Sequence, residues 1–189
     1  MKNKGFGTVI LVILVAIAAF LGGLYFSQNR NKTISTVTPT PAVAGTNTTP
    51  TAAAAPTTIG RFTATGEEVC QENNKPLVYF FGQNTCPHCQ WEHPIIQKVA
   101  AKFGSVISFH YNYDKPEADR EVWDKYTTIN QGGIPFIVIG CQYARVGSGE
   151  NYGEADETKY LTALICKITD NKPASVCNPV KDTIDQITL

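Results

Sequence analysis

From Val9 to Phe26 no residue carries a charge, and Val, Ile, Leu, Ala and Phe dominate the run. With Phe6, Gly7 and Thr8 it is long enough, at ~1.5 Å per helical residue, to span a hydrocarbon core of ~30 Å. It has no amphipathic face, which sets it apart from a buried core helix. Residues 33–58 are almost entirely Thr, Pro and Ala, again without charge. Such a stretch buries too little apolar surface to offset its ordering entropy, which predicts a disordered tether. Pro39, Pro41, Pro50 and Pro56 would stiffen it toward extended conformations.

The pattern of a folded domain begins near Gly60. The spacing predicts a short helix over Glu67–Asn73, then a strand at Leu77–Phe81, whose unbroken apolar run fits burial on both faces. A helix follows from Pro87 to about Phe103, with proline at an early helical position and Gly104 at its end. Val106–Tyr113 alternates as a strand, Pro116–Tyr126 reads as a helix, and Phe136–Ile139 as a second buried strand. A glycine-rich turn with a short strand near Tyr143–Val146 precedes a last helix over Glu154–Ile168. Residues 178–189 carry no pattern beyond a surface tail. The chain divides into an anchor (1–30), a linker (31–60) and one α/β domain (61–189), a layered sandwich about a mixed sheet.

Compartment decides how the cysteines are read. Lys2 and Lys4 lie on the short side of the apolar run, so the positive-inside rule keeps the N-terminus cytoplasmic and puts the domain outside. Arg30 and Lys32 weaken the contrast without reversing it. Ala16-Ile17-Ala18 has the form of a signal-peptidase site but sits in mid-run, so an uncleaved anchor is expected. Asn31-Lys32-Thr33 and Asn47-Thr48-Thr49 match the N-glycosylation acceptor pattern, whose use depends on the organism. Sixteen basic and sixteen acidic residues leave no net charge and no footprint for nucleic acid. All six cysteines fall beyond residue 69, and an even count outside the cytosol reads as disulfides.

Cys86-Pro87-His88-Cys89 stands where a buried strand ends and a helix starts. A thiolate there meets unpaired backbone N–H groups and the positive end of the helix dipole. Cys86, outermost, is the candidate attacking thiol, and Cys89, one turn in, the resolving one. Pro87 fixes the turn, and His88 supplies a donor or a positive charge. The same spacing also serves half of a zinc or iron–sulfur site or a purely structural disulfide. His93 and His110 read as surface or satisfied polar residues.

Over residues 61–169 the sequence resembles the thioredoxin family. The likeness rests on the CxxC after a buried strand, Pro94 five residues past the second cysteine, and Gly133-Ile134-Pro135 entering the next strand. The resemblance implies a thioredoxin-like three-layer sandwich and a cis Ile134–Pro135 bond beside the redox pair, with the Ile134 backbone available to a substrate chain. The Pro-His dipeptide is similar to that of the DsbA-type disulfide oxidases. The roughly twenty residues between Asp114 and Pro135 leave no room for those enzymes' helical insertion. Phe80 replaces the buried acid that thioredoxins use to move the second cysteine's proton, which argues against fast reductase turnover. In a sheet of this family the strands at 77–81 and 136–139 are antiparallel neighbours. That implies structural disulfides Cys70–Cys141 and Cys166–Cys177.

The function expected is thiol–disulfide exchange, oxidase or isomerase before reductase, on extracytoplasmic client proteins, with a membrane redox partner resetting the pair. No metal or organic cofactor is implied. The competing readings are a tethered reductase, a metal-delivery or assembly adaptor using Cys86, Cys89 and His93 as ligands, and an interaction domain with an idle CxxC.

Overall fold

The apolar run at 75–82 becomes the central strand of the sheet. The computed structural model describes residues 56–188. The expected anchor and most of the tether lie outside them, and no helix of the described residues is long and apolar enough to cross a membrane. Six strands form the sheet: β1 (Thr63–Ala64), β2 (Gln71–Glu72), β3 (Lys75–Gly82), β4 (Ser108–Tyr113), β5 (Phe136–Ile139) and β6 (Tyr143–Val146). Their order is β1-β6-β5-β3-β2, with β4 also on β3. β3 runs parallel to β4, with Phe80 opposite Tyr111, and antiparallel to β5, with Phe80 opposite Ile137. The sheet is mixed and the fold is α/β.

Side-chain alternation along β3 and β5 builds a core on each face. Val78, Phe80, Ile137 and Ile139 point to one side. There they meet α1 (Pro87–Phe103) through Ile95, Ile96, Val99 and Phe103, and α4 (Gly153–Ile168) through Leu161, Leu164 and Ile165. Leu77, Tyr79, Phe81, Phe136 and Val138 point to the other, toward α2 (Arg120–Lys125) and α3 (Thr127–Asn130). Side chains of this size each contribute ~1.5–3 kcal/mol when fully buried, and this two-sided burial fixes where β3 ends and α1 begins.

The helix expected over Glu67–Asn73 is absent. Gln71 and Glu72 are instead the strand β2, paired with Pro76 and Lys75. Asn73 and Asn74 both take positive φ, 51° and 63°, the tight hairpin turn that Asn favours. The helix expected over Pro116–Tyr126 starts only at Arg120. Asp119 before it is left-handed and makes no side-chain cap, because its carboxylate accepts from Asn112 (2.7 Å) and bonds His110 (2.9 Å) on β4.

The C-terminal tail is also more than surface. α5 (Ala174–Cys177) and α6 (Lys181–Ile184) fold back, burying Cys177, Ile184 and Ile187 in the core beside α4. Cys70 is bonded to Cys141 (Cα–Cα 5.5 Å), and Cys166 to Cys177 (5.6 Å).

Candidate active site

Cys86 closes the loop after β3 and is the N-cap of α1, with extended backbone (φ −98°, ψ 113°) and Pro87 at the next position. This puts the sulfur over the first turn of the helix, where it accepts the Cys89 N–H at 3.2 Å. Its other contact is with the Ile134 carbonyl at 3.8 Å. Cys86 is half-buried, Cys89 is buried, and both are unbonded thiols. Gly82, at the end of β3, allows this packing: a Cβ there would lie 2.9 Å from the Phe80 ring and 3.3 Å from the Cys89 Cβ. Burial, with the hydrogen bond to Cys86 adding to it, pushes the Cys89 thiol up to about 12. The two sulfurs are thus unlike: one reachable and fed by a helix N–H, the other withdrawn and held as a thiol.

The remaining expected residues fall around this pair. The Ile134–Pro135 bond is cis, and Pro135 is buried. The Ile134 N–H makes no backbone hydrogen bond among the described residues. Phe80 lies in an aromatic stack with Tyr111 (5.7 Å) and Tyr113 (6.3 Å), so the space beneath Cys89 is apolar on that side. His93 bonds the Tyr111 hydroxyl at 3.0 Å. His110 lies between Asp119 and Glu72. Among the described residues no group of three or more His, Cys, Asp or Glu side chains is arranged to hold a metal ion. The four other cysteines, bonded in pairs, take no part in the site.

Two cavities are lined by neighbours of the pair, one by His88 and the other by Ile134. A cleft of about 710 Å³ is lined by His88, Ile129, Val146, Gly147, Glu150 and Tyr152, among others. Val146, 40% exposed, supplies an unusually bare apolar side chain. A smaller hollow of about 250 Å³ lies against Ile134, Gly82 and Trp123.

Several residues that reading the sequence overlooked back the site. Glu92 of α1 and Glu157 of α4 are wholly buried and share one guanidinium, that of Arg145 on β6. Arg145 reaches Glu157 at 2.7 and 3.0 Å and Glu92 at 3.3 Å, and it donates to the Gly60 and Gly147 carbonyls. The Phe62 ring covers it at 4.5 Å. Burial, opposed by Arg145 and reinforced by Glu157, pushes the Glu92 carboxyl up to about 8. Glu92 also accepts the Gly149 N–H at 2.8 Å, and Gly149 packs so close to Glu157 that no Cβ would fit. Next to Gly149, Glu150 bonds His88 Nδ1 at 2.7 Å. A signal for the buried pair was present: Cys89, Glu92, Ile96, Val99 and Phe103 lie on one face of α1, and Glu157 lies in line with Leu161, Leu164 and Ile168. An acid on an apolar helix face implies a buried partner.

No protein-family model matches this chain, and no curated protein matches it in sequence.

Proposed function

We propose that the protein is a membrane-anchored, extracytoplasmic thiol–disulfide oxidoreductase of thioredoxin-like fold that acts on the cysteines of client proteins. The observation that carries this reading is the unlike pair: half-buried Cys86 accepts the Cys89 N–H in the first turn of a helix, and buried Cys89 is held as a thiol three residues on. The sheet also favours it, since β3 and β5 are antiparallel neighbours, as the resemblance implied.

In the dithiol form the Cys86 thiolate attacks one sulfur of a client disulfide. The client S–S bond breaks, its other sulfur leaves as a thiolate and takes up a proton, and a Cys86–client disulfide forms. Cys89 then loses its proton and attacks Cys86, forming the intramolecular disulfide and releasing the reduced client. Two electrons and two protons have passed to the client. In the oxidase direction every step reverses: a client thiolate attacks Cys86 of the disulfide form, Cys89 leaves, and a second client thiolate displaces Cys86 as the client disulfide forms. Continued oxidation needs a membrane-bound electron acceptor to remove two electrons from the dithiol. Isomerisation needs no net electron flow. The Ile134 N–H, which makes no backbone hydrogen bond among the described residues, gives an extended client segment a backbone partner beside Cys86, and the cleft between His88 and Val146 receives its side chains.

The dipeptide and Phe80 favour oxidation or isomerisation over reduction. The test is the reduction potential of the full-length protein equilibrated in glutathione buffers, with Cys86→Ser as the inactive control. A value of ~−120 to −180 mV makes the pair a disulfide donor or isomerase, and one near ~−270 mV makes it a reductase. A wild-type pair that forms neither an internal disulfide nor a mixed disulfide with glutathione removes the proposal.

A further inference from the structure

We propose that Glu150 is a positioning residue for the redox pair: by holding His88 through Nδ1 it keeps the imidazole off the Cys86 sulfur, so the pair oxidises more weakly than its Pro-His dipeptide alone would dictate. The inference rests on the thiol–disulfide reading above and specifies how that site is tuned. His88 is the one residue of the motif able to place a positive charge beside the thiolate. Its ring is nevertheless committed elsewhere, to Glu150 Oε2 at 2.7 Å. The Cys86 sulfur has its hydrogen-bond contacts with the Cys89 N–H and the Ile134 carbonyl, and none with His88.

Glu150 does not sit there by accident of a loose loop. Its neighbour Gly149 donates to fully buried Glu92. Two residues further back, the Gly147 carbonyl accepts from Arg145 at 3.1 Å and the Gly147 N–H donates to the Pro135 carbonyl at 2.8 Å. On the far side the Tyr152 N–H closes the turn on the Gly149 carbonyl at 2.9 Å. The turn bearing Glu150 is thus fastened to the buried Glu92–Arg145–Glu157 cluster and to the residue that follows Ile134. The segment contacting Cys86 and the carboxylate gripping His88 are parts of one braced assembly.

The electrostatic consequence has a definite sign. A free imidazolium stabilises the neighbouring thiolate, hence the dithiol form, and a stabilised dithiol makes its disulfide a stronger oxidant. An imidazolium neutralised by its own carboxylate does so less. The pair is exposed, 65% for His88 and 35% for Glu150, so solvent limits the coupling to roughly two- to fivefold in an equilibrium constant.

The experiment is the equilibrium of disulfide plus two glutathione thiols with dithiol plus glutathione disulfide. It is run on the full-length protein at pH 6. Wild type is compared with Glu150→Gln, Glu150→Asp, His88→Ala and the double variant Glu150→Gln/His88→Ala. Glu150→Gln is expected to shift the constant about two- to fivefold toward the dithiol, about 9–21 mV more oxidising at 29.6 mV per tenfold. Glu150→Asp is expected to restore at least half of the shift, and Glu150→Gln is expected to be silent in the His88→Ala background. No shift, a shift toward the disulfide, or an equal shift without His88 overturns the proposal while leaving the thiol–disulfide reading intact. A wild-type pair that does not exchange with glutathione removes both.

Discussion

Replacing Glu92 by Gln isolates a proton that the fold holds in its core. Two buried carboxylates face one guanidinium, and Arg145 grips Glu157 with two hydrogen bonds while standing 3.3 Å from Glu92. One carboxylate therefore lacks a full counter-charge, and burial raises that of Glu92 from an ordinary 4.5 to about 8. In that window the native protein keeps a proton that the unfolded chain has released. Native protein binding more protons means stability falls as pH rises, by up to ~1.4 kcal/mol per pH unit. The contribution is complete below the unfolded value and is lost toward pH 8. Glutamine keeps the shape and the acceptor for the Gly149 N–H and carries no titrating proton. Urea unfolding of the full-length protein at pH 5, 6, 7 and 8, followed by Trp91 and Trp123 fluorescence, should show wild-type stability declining by a few kcal/mol. Glu92→Gln should decline less, so that the variant gains on wild type at each step up in pH. Other titrating groups act in both proteins and cancel in the difference. Two pH profiles running parallel would refute the shared-proton argument.

The disulfides and the His110 cluster give two further tests. Chain-entropy scaling over sequence separations of 71 and 11 assigns ~4 kcal/mol to Cys70–Cys141 and ~3 kcal/mol to Cys166–Cys177. The Cys70→Ser/Cys141→Ser pair should therefore lower the urea midpoint further than Cys166→Ser/Cys177→Ser, and the reverse order would contradict the loop-closure account. Burial works to lower the His110 value, but hydrogen bonds and charge from Asp119 and Glu72 together outweigh it and raise it. Its stabilisation is therefore full below ~6.5 and fades as pH rises through the folded value. His110→Gln should cost about 1 kcal/mol at pH 5.5, given the partial exposure of the cluster, and less at pH 8.5; an equal cost at both would exclude a charge effect.

What could be read from the sequence was what short-range rules determine. β3, α1, β5 and α4 announce themselves because apolar runs and helix caps act within a few residues, and Cys86 and Cys89 are joined by one turn of helix. Where long-range contacts outvote local preference the pattern misleads. Glu67–Asn73 has helix-forming side chains, yet Cys70 is tied to Cys141 and the Asn73-Asn74 turn returns the chain onto β3. The C-terminal residues looked polar, but Val176, Val180, Ile184 and Ile187 recur at helical spacing and pack against or within the core, a signal diluted by the short helices that carry it. Glu150 marks the limit most clearly. Within Gly-Ser-Gly-Glu-Asn it has the appearance of any solvated turn, and no local rule attaches it to His88, 62 residues earlier. Its place is set by Gly149, which is held by a buried acid on α1 and pressed against another on α4. The charge balance of the core thereby decides where the carboxylate beside the Cys-Pro-His-Cys motif stands, and a substitution at Glu92 should be felt at His88.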